Sequence, residues 1–370
     1  MFTELSKKNQ KFYKDVASIV EKVNSKLSTI KREIYRRKSP NRFVGILNNT
    51  MTNYEVLADI NKTTEFMENE ALGCVLICDI LNNKIDNSEN KAKFMRAMGD
   101  RMLREPNDSV VIRLNTMKTT EDSLTGFKYE KTPIPNVFRI TGGKENSAES
   151  IKRQVLTELD DLVKIQSFES CLPVHLLRPE EGSTVIDATA APGNKTTHCV
   201  DLMKNTGVIH AYERDRCRFT VLKKMIKEYG ATNTKLYNND FLKTDPKSIQ
   251  PDYVIVDPSC SGSGIHFNYK KDPERLAKLQ NFQCMILNHA LKFDAKRVVY
   301  SVCSLHTEEA EDVVKEALEK NSYYELDTIN VDGVPHGDPA YEFSDKVLRV
   351  GRNDGISSGF FACVFIRKNK

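Results

Sequence analysis

From about Gln166 onward, short apolar runs alternate with longer amphipathic stretches, and this rhythm limits the possible folds more than any other feature of the 370-residue chain. Runs at 184–188, 208–212, 235–237, 253–256 and 297–302 are rich in Val, Ile and Tyr and stop at turn-forming residues, the pattern of buried strands. Between them, helices are expected from Lys195, from Arg216, over 276–291 and over 307–318. Strands alternating with helices argue for helices on both faces of one sheet. The expected fold class is therefore α/β, a doubly wound, mostly parallel, Rossmann-like sheet over 166–370. Residues 329–359, rich in Gly, Asp, Ser and Pro, read as a long loop before a last apolar strand, 360–366, at the sheet edge.

In an open parallel sheet, ligands bind beyond the carboxyl ends of the strands. The turn after the first of these strands, Thr189-Ala190-Ala191-Pro192-Gly193-Asn194-Lys195, is built of small residues, so backbone can approach a ligand at a helix N-terminus. Glu213 stands twenty residues after Gly193 at the end of the second strand, a spacing that suits a carboxylate on the ribose of a nucleoside cofactor. Asp240 follows the third strand and would border the adenine. A nicotinamide cofactor fits less well, because the three-glycine fingerprint is missing. A phosphate loop is excluded, since Thr189 and Asn194 stand where its glycines should be.

Two cysteines follow the fourth and fifth strands: Cys260 in Asp257-Pro258-Ser259-Cys260-Ser261-Gly262, and Cys303 in Ser301-Val302-Cys303-Ser304. Two thiols and the Asp257 carboxylate would then face one crevice, an arrangement suited to chemistry on a pyrimidine ring. The other seven cysteines (Cys74, Cys78, Cys171, Cys199, Cys217, Cys284 and Cys363) are read as small buried hydrophobes. No spacing among the nine marks a metal site or a disulfide framework, and an odd number scattered singly fits a reducing compartment.

The first region reads as all-helical to about residue 104, closed by Pro106-Asn107-Asp108. Its first 42 residues hold twelve Lys and Arg against four acids, a net +8, so that the rest of the +4 chain is −4. Arg32, Arg36, Arg37, Lys38 and Arg42 are the densest part of this basic arm, which suits a polyanion as well as it suits a solvated helix face. A small β-containing module follows at 107–165, opening on the strand-like run 109–116. The domain boundaries expected are thus 1–106, 107–165 and 166–370. No apolar stretch approaches a membrane span, and Met1 to Lys8 has no apolar signal core.

At these residues the sequence resembles the Sun-type RNA (cytosine-5) methyltransferases. Four blocks carry the resemblance in order: 190–196, 257–264, Ser301-Val302-Cys303-Ser304 with Glu308-Glu309, and Ser358-Gly359-Phe360-Phe361. Asn194 and the closing Ser-Gly-Phe-Phe look most like the eukaryotic branch acting on large-subunit ribosomal RNA. Arg113-Leu114-Asn115-Thr116 is similar to the strand of the family's RNA-binding module. Two departures are visible: Ser167 and Glu169 stand within the family's Gln-Asp-x-Ala-Ser block, and Val302 replaces a threonine.

The resemblance implies a class I S-adenosylmethionine methyltransferase with S-adenosyl-L-methionine bound by Thr189 to Lys195, Glu213, Asp240 and Asp257. It implies RNA contacts at Arg113, Asn115 and Lys118, and a catalytic set of Cys303, Cys260, Asp257 and Lys195. Carbon 5 of cytosine is a poor nucleophile, so a thiolate must first add at carbon 6, and a covalent route splits one difficult step into two. Cys303 is the nucleophile by the family's assignment, and Cys260 the base that removes the carbon 5 proton. Asp257 would hold ring nitrogen 3 and the exocyclic amine. Lys195 would lower a thiol pKa or bind the RNA backbone. Tyr269, Lys270 and Lys271 suit an RNA contact no better than a solvated loop.

The implied partner is RNA, large-subunit ribosomal RNA or a pre-ribosomal particle, with no membrane, a monomeric state and a nucleolar or nuclear place in a eukaryote. Three alternatives differ in class: an RNA-binding assembly factor without catalysis, a tRNA cytosine-5 methyltransferase, and a methyltransferase for a small molecule or protein. The basic arm and twin cysteines disfavour the last. Deleting residues 1–42 should flatten the salt dependence of RNA binding, because their positive charge would release counterions from phosphates. Filter binding across a salt series checks this; equal slopes for both proteins would give the arm another purpose.

Overall fold

The structure, a computed structural model, describes residues 2, 5–25, 33, 41–99, 101, 109–143, 148–265, 271–351 and 358–368. Two units partition the chain, Met1–Asp108 and Ser109–Lys370. In the second, the strands are β1 (Val110–Leu114), β2 (Lys128–Lys131), β3 (Val137–Gly142), β4 (Val163–Ile165), β5 (Thr184–Asp187), β6 (Val208–Tyr212), β7 (Thr234–Tyr237) and β8 (Tyr253–Val256). They continue with β9 (Arg297–Val302), β10 (Tyr324–Leu326), β11 (Val347–Val350) and β12 (Phe360–Arg367).

Every position of β8 is buried, and so is β9 beyond its first residue, because both faces are covered. Alternate side chains divide between two cores. Ile186, Val254, Val256, Val298 and Tyr300 pack with Leu287, Leu291, Val313 and Ala317 on one face. Val185, Ile209, Tyr253, Ile255 and Val299 pack with Leu172, Leu176, Cys199 and Val200 on the other. The strand order is β10-β12-β9-β8-β5-β6-β7, with β11 also pairing to β12. Pairing is parallel from β9 through β7 and antiparallel around β12. The carboxyl ends of β5 to β9 therefore lie along one edge.

Local chemistry sets the crossover helices. Asp215 caps the helix Arg216–Tyr229, which Gly230 closes at φ +85°. Asp272 caps Pro273–Leu291 with proline in the first turn. Three expectations need correction. β12 is not the sheet edge: it sits between β9 and the pair β10 and β11, as its apolar run Phe360-Phe361-Ala362-Cys363-Val364-Phe365 requires. The 329–359 segment is not all loop, since it contains β11. The helix expected over 307–318 is broken at Ala310 (φ −121°, ψ −96°), giving a short 3-10 turn, Thr307–Glu309, and then Glu311–Lys320.

The second sheet, β2-β3-β1-β4, is antiparallel, with Ile112, Leu114, Phe138 and Ile140 buried against Ile151 and Val155 of the helix Ala148–Glu158. Arg113 of β1 fastens it to the larger sheet. Its side chain is 1% exposed, and its guanidinium donates to the Asp201 carboxylate, to Tyr229 Oη (2.7 Å), to Thr197 Oγ1 (2.8 Å) and to Gln166 Oε1 (3.2 Å). Asn115, also buried, donates to Tyr229 O at 3.0 Å. The expectation that these two contact RNA is corrected, since neither has a face left for a phosphate. Lys118 remains partly exposed, donating to Glu228 O at 2.9 Å and lying 3.5 Å from Asp161.

The first unit consists, among its described residues, of helices Lys7–Asn24, Asn41–Thr52, Tyr54–Thr64, Glu70–Leu81 and Ser88–Met98. Glu70–Leu81 is apolar almost all round and lies at the centre, between Val16, Ile19 and Val20 on one side and Leu57, Ile60 and Phe94 on the other. Arg32, Arg36, Arg37 and Lys38, like Tyr269 and Lys270, lie outside the described residues, as does the Arg42 side chain. Among the described residues no helix is long and apolar enough to cross a membrane.

Arg113→Ala should cost about 3–5 kcal/mol, the usual penalty for leaving one member of a buried ion pair alone. The double variant Arg113→Met/Asp201→Leu should cost less than the single one. Urea unfolding of the three proteins measures this; a loss below about 1 kcal/mol for Arg113→Ala would show that Asp201 is held by Tyr229 and Thr116 alone.

Candidate active site

The turn after β5 is fixed by its own polar groups. Asp187, 1% exposed, accepts from Thr196 Oγ1 at 2.7 Å and from Thr189 N at 3.4 Å. Burial pushes its carboxyl up to about 6, against the pull of Thr196 and Lys195. Gly193 has φ +115°, a conformation that disfavours any Cβ, and a Cβ there would press on Met225 and Leu222. Gly193 precedes the helix Asn194–Leu202, whose first turn has no side-chain cap. Ala190 N donates to Tyr212 O (2.9 Å), and the peptide bond between Ala191 and Pro192 is cis.

Glu213, just beyond β6 and 7% exposed, accepts from Asp215 N at 2.8 Å and lies 3.6 Å from Arg218. Arg218 also donates to Ala191 O at 2.6 Å, so one side chain links this carboxylate to the turn. Asp240, beyond β7, accepts from Leu242 N (3.1 Å) and lies 3.6 Å from Arg214. Asp257, beyond β8, is held from three sides: Lys195 Nζ donates to Oδ2 (2.6 Å), Ser301 Oγ to Oδ1 (2.8 Å), and its own N–H donates to Thr189 Oγ1 (3.2 Å). Thr189, Lys195 and Ser301 thus orient Asp257; the sequence offered no signal for Ser301 beyond its place before Cys303.

Cys260 and Cys303 meet with their Sγ atoms 2.8 Å apart. The hydrogen bond that Cys260 donates lowers the Cys303 pKa below the ordinary thiol value; burial and Asp257 oppose this shift, and Lys195 reinforces it. Cys260 is held well above that value, first because ionising would lose this bond and then because it is buried. Lys195 stays protonated: burial pulls its pKa down, but Asp257, Asp187 and Cys303 together raise it. Cys303 is therefore the more acidic of the two thiols, and the pair lies beside the Asp257 carboxylate and the Lys195 ammonium. Lys271 pairs with Glu308.

A family model described as 16S rRNA methyltransferase RsmB/F matches residues 174–365, just over half of the chain. The chain belongs to this methyltransferase family. Among its relatives is the 28S rRNA (cytosine-C(5))-methyltransferase of Mus musculus, 40% identical over 215 residues, 55% of this chain and 46% of that protein. The 26S rRNA (cytosine-C(5))-methyltransferase nsun-5 of Caenorhabditis elegans is 39% identical over 296 residues, 69% of this chain and 66% of that one. Its counterpart rcm1 of Schizosaccharomyces pombe, a 25S rRNA (cytosine-C(5))-methyltransferase, is 29% identical over 95% of this chain and 90% of its own length. The chain spans about half the length of the mouse relative. Two Pyrococcus horikoshii structures share the fold: a methyltransferase homolog (TM-score 0.62, 24% identity, 85% of this chain and 99% of that one) and NSun6 (0.59, 19%, 72% and 92%).

Because Lys195 lowers the Cys303 pKa, Lys195→Met should raise the pH at which Cys303 becomes reactive. Iodoacetamide labelling across a pH series, read at the Cys303 peptide, should give a midpoint below the ordinary ~8.5 in the native protein and a higher one in the variant. Identical midpoints would remove Lys195 from this role.

Proposed function

We propose that the protein methylates carbon 5 of a cytosine in RNA, taking the methyl group from S-adenosylmethionine, and that its substrate is large-subunit ribosomal RNA. The observation that carries the chemistry is the contact of Cys303, the more acidic thiol, with Cys260 beside Asp257. The substrate follows the names of the mouse, nematode and fission yeast relatives. A nucleolar site of action and a pre-ribosomal substrate accord with it.

The residues present suit the cofactor. A buried carboxylate at Glu213 can accept from a ribose diol, and the uncapped N-terminal turn of Asn194–Leu202 offers backbone N–H groups. When bound, S-adenosylmethionine supplies an electrophilic methyl group. Asp257, fixed by Lys195 and Ser301, is disposed to take the exocyclic amine of cytosine and orient the ring. The base must leave its stack to reach these groups, which favours a loop or a remodelled helix in the RNA.

Cys303 then adds to carbon 6, and the electron pair released toward carbon 5 makes that carbon the nucleophile. Adduct formation consumes the negative charge that kept Cys260 protonated, so Cys260 can now ionise, giving its proton to solvent. As a thiolate it takes the carbon 5 proton, and the electrons restore the ring double bond while expelling Cys303 as thiolate. The products are the methylated base and the resting pair, Cys303 thiolate and Cys260 thiol. Cys260 thus loses one proton and gains another in each turnover, while Cys303 alternates between thiolate and thioether.

Cys303→Ala should abolish both methylation and covalent attachment, whereas Cys260→Ala should leave RNA attached through a methylated, saturated ring. A denaturing gel with labelled RNA and cofactor distinguishes these, with the double variant as control. A stable band in Cys303→Ala would reverse the assignment. Bisulfite sequencing of ribosomal RNA with and without the gene tests the substrate.

A further inference from the structure

Neither oxygen of the Glu309 side chain faces solvent; the residue is 0% exposed at the end of the short 3-10 turn after Cys303. Oε1 accepts from Ser261 N (2.8 Å) and from Gln283 Nε2 (3.0 Å). Oε2 accepts from Ser304 Oγ (2.6 Å). Ser261 follows Cys260, and Ser304 follows Cys303. One carboxylate therefore grips the residue after each thiol. Gln283 Nε2 also donates to Ser259 O at 3.0 Å, so Cys260 is held on both flanks. The Glu309 carbonyl accepts from Tyr300 Oη at 2.6 Å, which anchors the turn in β9. Further bonds join the two loops: Ser263 Oγ lies 3.1 Å from Ser304 Oγ and accepts from Leu305 N at 2.9 Å, and Gly264 N donates to Cys303 O at 3.2 Å.

The amide, the peptide N–H and the hydroxyl that donate to this carboxylate are all neutral. A buried carboxylate costs several kcal/mol in desolvation unless its lone pairs are filled. A site that needed only packing would be served better by an apolar residue. What the carboxylate adds is two acceptors on a rigid plane, at a separation that fits one donor from each loop.

The geometry points to Glu309 as a positioning residue that sets the distance between the two reacting sulfurs. It touches neither sulfur and acts through Ser261 and Ser304. This rests on the reading of Cys303 and Cys260 as nucleophile and releasing base, and it locates in a third residue the spacing that lets both sulfurs reach one base.

Two substitutions separate geometry from charge. Glu309→Gln keeps length and plane: its amide oxygen can accept from Ser261 and Gln283, and its amide N–H can donate to Ser304, whose hydroxyl rotates. Glu309→Asp keeps the charge but is one methylene short and cannot reach both loops. Three readouts apply: the pH midpoint of Cys303 alkylation, the rate at which diamide joins Cys260 to Cys303, and RNA methylation. The groups that face Cys303 are Cys260, Asp257 and Lys195, all unchanged in both variants.

In Glu309→Asp the Cys303 midpoint should rise, diamide cross-linking should slow, and kcat should fall by up to about a hundredfold, the scale of an ångström of misplacement, with KM for RNA little changed. Glu309→Gln should stay near the native protein in all three. If Asp stays native and Gln fails, the charge and not the spacing is what matters, and the proposal is overturned. Unchanged alkylation and cross-linking in both variants would overturn it too. A native protein that shows the alkylation and cross-linking behaviour but methylates no cytosine would instead refute the proposed function and leave the thiol geometry standing.

Discussion

Parallel pairing of β9, β8, β5, β6 and β7 is the constraint on which the rest of this structure depends. It directs five carboxyl ends to one edge, and each end delivers its next residue there: Cys303, Asp257, the Thr189 to Lys195 turn, Glu213, and Asp240 three residues past β7. Return crossovers on both faces bury the central strands β8 and β9 between helices, so this edge is where polar groups can gather without being sealed in the core. Asp257 shows how tightly they gather, held at once by the turn after β5 and by the last residues of β9.

Buried polar groups then fix what apolar packing leaves loose. Arg113 and Asp201, with Tyr229, Thr197 and Gln166, join the small antiparallel sheet to the helix that carries Lys195. Glu309 joins the loops of Cys260 and Cys303. Hydrophobic contact is non-directional and tolerates small slides; a buried hydrogen bond does not, because a group moved out of register loses its partner and keeps its desolvation cost. Directional clamps of this kind suit a site in which two sulfurs are held in contact.

The elements legible in the sequence were those with strong local periodicity. The helix from Arg216 was legible, the one expected over 276–291 begins three residues earlier at Pro273, and the strands were read from their apolar runs. Less visible was anything decided by pairing. The run at 360–366 is equally apolar whether it is an edge or an inner strand, and only β10 and β11 arriving on its far side make it inner. Arg113 misled because an arginine in a strand carries no mark of burial; its neighbours Asp201 and Tyr229 lie 88 and 116 residues away. Glu309 was visible as part of a motif but not as a clamp, since its partners Ser261 and Gln283 are distant in the chain.

The sequence by itself determined the class of fold, the strand ends at which chemistry could occur and the types of group available there, because strand period, turn residues and small-residue turns are local properties. Tertiary structure decided which of those groups touch and in what protonation state. A thiol's pKa is set by partners within a few ångströms, and those partners come from other strands. Cys303 is the more acidic thiol because the fold brings Cys260 to 2.8 Å and Lys195 close by, and no reading along the chain supplies that distance.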